Sequence, residues 1–375
     1  MTKEKELHII CHTIPYPADF GGIIEILQTI KELHFAGIKI TLHCFKYNSE
    51  EQQELSNFCA KIFYYKRNKG YSGLSFCTPY IVNSRKNASL FENLKNDDHP
   101  ILMQGIHCTG FVQQLQSMNR KVFLRLHNIE NIYYRHLYKH ETSVSKKFYF
   151  LLESILLKQY EKSLPKNIPV FAMSTKDAAY CSNRLGMTNV QHLPAFIPYT
   201  LNHSQVGKGN YCLYHANLSV AENEAAANWL LTNVFSKLMV PLFIAGKNPT
   251  KKLRLKIQQS KNITLLANPS EDELQILIAN AQINILPSFN NTGIKLKLFN
   301  ALFTGKHCIV NDATVAGTAM ETACHIANNS EKMIQLINKL YTQSFTFEEV
   351  EKRKKLIELI YGNKKNVAQL IRWIW

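Results

Sequence analysis

Short apolar runs alternate with helix-period segments along the whole chain, and the alternation breaks once, at residues 198–210, before restarting. Runs of strand length fall at residues 7–14, 40–45, 62–66, 101–106, 121–126, 170–174 and 190–193 before the break. They fall at 211–216, 241–245, 263–267, 283–287 and 308–310 after it. Between the first two runs, Ile23, Ile26, Leu27, Ile30 and Leu33 repeat with the 3.6-residue period of a helix. Strand and helix in alternation build a parallel, doubly wound sheet. The break itself, PYTLNHSQVGKGN, is polar with Pro and Gly and reads as a linker.

Two successive α/β domains are therefore expected: an N-terminal one over 1–200, a C-terminal one over 208–345, and closing helices over 346–375 that can cross back to the first. With 375 residues and 46% hydrophobic content the chain can fill two cores. A helix over about 140–163 carries Val144, Phe148, Leu151, Leu152 and Ile155 on one side and Lys146, Lys147, Lys158 and Lys162 elsewhere. The favoured reading is a helix that packs this stripe on the core; the alternative is a basic helix facing a membrane. The last residues, Ile371 to Trp375, leave the same two options open.

The net charge is +16, and each half contributes an excess of eight, so no basic tail accounts for it. Such a field suits nucleotide phosphates, lipid headgroups or nucleic acid. Nucleic acid is set aside, because basic-aromatic stretches such as Phe63-Tyr64-Tyr65-Lys66-Arg67 are explained as a strand end. The nine cysteines form no CxxC pair, and several sit in apolar runs, which fits a reducing compartment. The N-terminus reads as no signal peptide, and no stretch approaches the ~20 apolar residues that span a bilayer. The expected location is cytoplasmic, extending to the inner face of the membrane.

In sheets of this kind ligands bind beyond the carboxyl ends of the strands, and with two such domains the expected site is a cleft between them. Four strand ends carry candidates. PYPADFGG follows the first strand, and Gly21 and Gly22 at a helix start allow close approach of an anion. No GxGxxG is present, so a nicotinamide or flavin cofactor is not expected. RLHNIE ends the run KVFLRLHN; His127 can carry a proton or orient a hydroxyl, and Glu130 can hold a sugar hydroxyl or steady the histidine. IAGKNP places Lys247 where it can meet a diphosphate.

The richest segment is LPSFNNTGIKLKLFNALFTGKHCIV. A strand ends at Pro287, a loop with Asn290, Asn291, Thr292 and Gly293 follows, and a helix is expected from about Ile294 to Phe303. Its first amides and positive end suit a diphosphate. Lys297 and Asn300 share a face, with Lys295 nearly opposite, so Lys297 is the chosen phosphate ligand and Asn300 a ribose ligand. Ile294, Leu298, Ala301 and Leu302 form the expected buried stripe. His12 and His107 follow strands and can line the cleft, but no histidine has metal-site spacing and no Asp-x-Asp pair appears, so no metal is expected.

PYPADFGG, RLHNIENIYY, LYHANLSVAENEAA, FIAGKNP and residues 286–310, in this order across nearly the whole chain, resemble the GT-B glycosyltransferases of the family 4 type. The resemblance implies two Rossmann-like domains facing a central cleft. It implies retaining, metal-independent transfer of a sugar from a UDP- or GDP-sugar, with no cofactor, to a glycan or lipid-linked acceptor in polysaccharide biosynthesis. Hexosyl transfer, mannosyl included, is the implied class, with peripheral membrane contact. By the resemblance Gly21 and Gly22 face the donor diphosphate or sugar, and His127 sits by the reacting sugar. Lys247, Lys297 and the amides of Gly293, Ile294 and Lys295 hold the diphosphate, and Asn268 lies near the nucleobase.

The chain departs from the family at two points. Thr292 and Asn300 stand where relatives often carry two glutamates eight positions apart, and Asn217-Leu218-Ser219 lacks a nearby basic residue. The departures leave a non-catalytic nucleotide-sugar-binding subunit as the alternative, with a sugar-nucleotide epimerase behind it.

Overall fold

The computed structural model describes residues 4–18, 21–46, 51–141, 143–198, 204–290 and 292–375. Asp19, Phe20, Asn291 and residues 199–203 of the expected linker lie outside the described residues. The chain folds as two compact units. One holds Met1–Tyr138, Ser143–Pro198 and Tyr361–Trp375; the other holds Lys139–Thr142 and Tyr199–Ile360.

Seven strands form the sheet of unit 1: β1 (Glu6–Cys11), β2 (Lys39–Lys46), β3 (Lys61–Lys66), β4 (Ile101–Gln104), β5 (Val122–Leu126), β6 (Val170–Ala172) and β7 (Val190–His192). Their order is β3-β2-β1-β4-β5-β6-β7, and all pairings are parallel, with Ile9 beside Leu42 on one flank and Leu102 on the other. Parallel strands are covered on both faces, which is why β4 and β5 are buried end to end. Alternation along β1 sends Leu7, Ile9 and Cys11 into one core and Ile10 into the other.

The helices of this unit are α1 (Gly21–Phe35), α2 (Tyr80–Asn83), α3 (Ala88–Lys95), α4 (Val112–Ser117), α5 (Glu130–His140), α6 (Val144–Ser163) and α7 (Thr175–Leu185). In α1 the five periodic apolar residues are all buried.

Unit 2 carries six strands: β8 (Cys212–His215), β9 (Leu242–Gly246), β10 (Ile263–Ala267), β11 (Ile283–Leu286), β12 (His307–Val310) and β13 (His325–Ile326). They are ordered β10-β9-β8-β11-β12-β13, again all parallel. The two-residue β13 was too short to show in the sequence pattern. Helices α8 (Ala221–Trp229), α9 (Lys251–Gln258), α10 (Glu271–Asn280), α11 (Leu296–Thr304), α12 (Asp312–Val315), α13 (Ser330–Thr342) and α14 (Phe347–Tyr361) follow. The second half of the polar stretch is not free: Gly207 exchanges two backbone hydrogen bonds with Phe345, and Gly209 N donates to Gln282 Oε1 at 2.7 Å.

The last helix, α15 (Asn363–Ile374), belongs to unit 1. Its Val367, Leu370 and Ile374 are buried in the core that α1 lines, and Trp373 stacks on Phe171 with ring centroids 5.3 Å apart. Asn363 Nδ2 donates to Ile197 O and Glu32 Oε1. Each fully buried aliphatic side chain adds about 1.5–3 kcal/mol, so residues 363–374 form a closing helix packed on the protein, with Arg372 and Trp375 exposed among the last five residues.

Two expectations need correction. The helix expected over about 140–163 is α6, Val144–Ser163, but most of the stripe read as its core face is exposed: Val144, Phe148, Leu152 and Ile155 face solvent and Leu151 is half-buried, while Glu153, Ser154, Leu157 and Glu161 are buried. Buried carboxylates take this face because Glu153 accepts from Tyr80 N and Ile81 N, and Glu161 accepts from Asn131 N. The helix expected from Ile294 starts two residues later, so Gly293, Ile294 and Lys295 belong to the preceding loop. From Leu296 to Thr304 every residue except Lys297 is buried, so α11 is a core helix rather than an amphipathic one.

Candidate functional site

In doubly wound sheets the strand order reverses at one point, and the crevice beyond the strands there binds ligands. In unit 1 the reversal lies between β1 and β4, and in unit 2 between β8 and β11.

At the unit 1 switch point α1 opens with Gly21 and Gly22, both half-buried. One turn on, Glu25 is fully buried and pairs with Arg125 of β5: Nε and Nη2 donate to Glu25 Oε1 at 3.0 and 2.7 Å. Arg125 also donates to Leu193 O and Pro194 O, so the guanidinium has four bonds and no exposure. Burial pushes the Glu25 carboxyl up, but Arg125 and His127 outweigh burial and hold it below the usual range. The second oxygen, Oε2, makes no hydrogen bond among the described residues and faces His127 Nε2 at 3.6 Å.

His127 follows β5 and is bonded to Gln104 at the end of β4, Nε2 to Oε1 at 2.9 Å. With Nε2–H donating to that amide oxygen, Nδ1 carries the lone pair. Burial lowers the His127 pKa, Glu25 opposes this and Arg125 adds to it, leaving the imidazole neutral at pH 7. His12 and His107 stack nearby with ring centroids 4.7 Å apart, and neither Nδ1 finds a partner among the described residues. Burial, with Arg85 and His127 adding to it, pushes His12 down to about 3.

Glu130, three residues beyond His127, is hydrogen-bonded to Asn128 rather than to the histidine. It is the first residue of α5, is buried, and interacts with Asn128 and Glu161. Burial and the Glu161 charge push it up to about 8, so it is a protonated acid at neutral pH. The groups that steady His127 are Gln104 and Glu25, neither of which the sequence reading named.

At the unit 2 switch point His215 ends β8, Ser288 follows β11, and Lys297 rises from the first turn of α11. Lys297 Nζ lies 5.2 Å from the Tyr214 ring centroid. Burial lowers its pKa, Glu222 partly restores it and Lys295 lowers it again, to about 8. Glu222, in the first turn of α8, accepts from Ser288 Oγ at 3.0 Å. It was missed in the sequence; the available signal was an acid opening the helix after β8. His215 is buried, its Nε2 has no hydrogen bond, and burial with Lys297 pushes it down to about 3.

The loop into α11 is tightly built. Thr292 N and Oγ1 both donate to Asn290 Oδ1, at 2.9 and 2.8 Å, and Lys295 Nζ donates to Thr292 O at 2.5 Å. Gly293 has φ +62, which an L side chain adopts only with strain. No side-chain hydrogen bond caps α11 at Lys295; of its first amides, Leu298 N donates to Lys295 O at 2.9 Å. Asn300 is buried on the same helix and accepts from Thr304 Oγ1 at 3.3 Å.

Lys247 is exposed after β9, one residue beyond Gly246. A Cβ on Gly246 would lie 1.8 Å from Ala216 O, so only glycine lets the ends of β8 and β9 approach. Asn248 and Asn268 both have positive φ, and Asn268 Oδ1 accepts from Asn248 N at 2.7 Å. The structure thus brings Lys297, Lys295, Thr292, Gly293, Ile294 and Asn300 onto one loop and helix start, and sets Lys247 with Asn268 at the neighbouring strand ends.

Away from the switch points, His307, His325 and Glu349 gather within 4.8 Å of one another, a grouping that spacing in the sequence did not reveal. His307 Nδ1 faces Glu349 Oε1 at 3.6 Å, and the nearby Arg353 guanidinium disfavours added positive charge there.

Two parallel, doubly wound α/β units in one chain define the GT-B fold, and this chain has it. The structure is similar over 99% of both chains to sucrose-phosphate synthase from Thermosynechococcus elongatus, at TM-score 0.75 and 13% identity. S. aureus TarM, solved with UDP, matches over 99% of both chains at TM-score 0.68 and 11% identity. Anabaena HepE, solved with UDP and glucose, matches over 98% of this chain and 99% of its own at TM-score 0.65 and 12% identity. In sequence the chain is 25% identical to an uncharacterized 44.6 kDa protein in the cps region of Klebsiella pneumoniae, over 94% of this chain and 98% of that one. No protein-family model matches.

Proposed function

We propose that the protein is a glycosyltransferase that moves a hexose, mannose among the candidates, from a UDP- or GDP-sugar to a glycan or lipid-linked acceptor in polysaccharide biosynthesis. The transfer retains anomeric configuration, and the protein works in the cytoplasm at the inner face of a membrane. The observation that carries the reading is Lys297, a partly desolvated cation beside an uncapped helix start at the unit 2 switch point. Cations and helix amides aimed at one place stabilise a leaving diphosphate. In this reading Lys297 and Lys247 bind the diphosphate with the amides of Gly293, Ile294 and Lys295, and Gly21 and Gly22 allow close approach of the donor. Asn268 lies by the base and Asn300 by the ribose, with Thr292 holding the loop.

The same cations meet the diphosphate charge without a metal. Neutral His127, oriented by Gln104, serves the reacting sugar through Nδ1. Glu130, a protonated carboxyl at pH 7, donates to a sugar hydroxyl. Glu222 supplies a carboxylate near Lys297 where the family positions Thr292 and Asn300 have none.

The test is a thermal-shift screen of UDP, GDP and their sugars against the wild type and Lys297→Ala, because ligands of the native state raise its stability. One nucleotide series should raise Tm in the wild type and lose that effect in the variant. No shift with any nucleotide, or an equal shift in both proteins, ends the reading.

The alternative, a subunit that binds nucleotide-sugar without turning it over, is favoured by the Thr292 hydroxyl being spent on Asn290. Calorimetric donor binding with no turnover across a broad acceptor panel would establish it, and ready turnover would exclude it.

A further inference from the structure

The exposed stripe on α6 is a single-sign surface. Val144 and Phe148 are 83% and 62% exposed, and Leu152 and Ile155 continue the same line at helical spacing. The helix contains two acids, Glu153 and Glu161, and both are buried, 3% exposed each. Its lysines at 146, 158 and 162 are exposed and Lys147 is half-buried, so the outward face is apolar and cationic with no acid on it.

A second segment is basic as well. Residues 61–91 hold six basic residues, Lys61, Lys66, Arg67, Lys69, Arg85 and Lys86, and no acid. Within it the loop before α2 exposes Tyr71, Leu74 and Phe76, at 94%, 57% and 99%. The loop leads into α2, which is tied to the buried side of α6: the Glu153 carboxylate accepts from Tyr80 N at 3.0 Å and Ile81 N at 2.9 Å, and Tyr80 and Tyr149 meet edge to face. Each of these two elements exposes apolar or aromatic side chains among basic residues.

We propose that two exposed surfaces of unit 1, the outward side of α6 and the 70–77 loop, dock on a bilayer that carries anionic phospholipid. Apolar tips insert at the acyl boundary while lysines meet headgroup phosphates. A second copy of the chain fits the surface poorly, because a two-fold contact sets lysine against lysine, and protein interfaces are depleted in lysine. The inference names the surface behind the membrane-side location proposed above, and it does not depend on the transfer reaction.

The experiment is flotation of the full chain with vesicles of phosphatidylglycerol and phosphatidylcholine, or phosphatidylcholine alone. The wild type should bind the anionic vesicles about tenfold better, and binding should fall as salt rises. Phe148→Ser with Leu152→Ser, and separately Phe76→Ser, should each weaken binding several-fold; these side chains are exposed, so Tm should hold. The proposal is overturned by no binding to anionic vesicles, by equal binding to both compositions, or by variants that bind as the wild type does. A concentration-dependent dimer that the Phe148→Ser, Leu152→Ser protein loses overturns it too, assigning the stripe to contact between copies. The nucleotide thermal shift should be unchanged in these variants, so failure here and failure of the transferase reading are told apart.

Discussion

At the carboxyl edge of the unit 1 sheet, charge is cancelled inside the protein. Arg125 is spent on Glu25 and two carbonyls, and the histidines around it are neutral. At the corresponding edge of unit 2 the balance differs. Lys297 lies against an aromatic ring, next to Lys295 and an uncapped helix start, with Glu222 as a partial counterweight. The topology of the two switch points is alike, so the difference comes from side chains alone. A buried ion pair fixes geometry and offers little to a ligand. A half-desolvated cation is raised in free energy until an anion arrives. In the proposed reading one edge orients and the other attracts.

His127→Ala should cost most, roughly 10²–10⁴-fold in transfer, the usual worth of a positioned proton-transfer group. Its nucleotide-induced thermal shift should stay as in the wild type. If donor binding falls in step with turnover, His127 is a binding group and the contrast between the edges fails.

The next effect is on stability. Glu25→Ala strands a buried guanidinium and should destabilise by about 3–5 kcal/mol, whereas Glu222→Ala, at a half-buried position, should cost about 1 kcal/mol or less. Urea unfolding of both variants measures the gap. Equal losses would mean that the unit 2 edge is as internally compensated as the unit 1 edge.

The smallest effect is in pH. The Lys297 pKa is about 8 in the free protein, and bound anion favours the charged form. Donor affinity should therefore weaken as pH rises through about 8, several-fold by pH 9, in calorimetric titrations. Lys297→Arg stays charged throughout and should bind with a flat profile over that range. A wild-type profile as flat as that of the arginine variant would remove Lys297 from the diphosphate.

Much of the architecture was legible because local pattern and tertiary role coincide. Fully buried parallel strands read as continuous apolar runs, and α1 shows its core face in its periodicity. Strand ends could be counted, which is why His127, Lys247 and Lys297 could be picked out before any fold was seen. Pattern failed where burial was satisfied by polar contacts. On α6 the periodic apolar face points outward, since Glu153 and Glu161 find backbone amides to cap and can be buried.

What the sequence settled alone was two α/β units, their strands apart from the two-residue β13, and which residues stand after those strands, because these follow from periods of two and 3.6 along a local stretch. What only the tertiary structure decided was partnership. Glu25 meets Arg125 across 100 positions, Asn363 returns to Ile197, and Glu222 approaches Lys297. Such pairs are set by strand order and helix packing, and no periodicity encodes which distant side chain a buried charge will find.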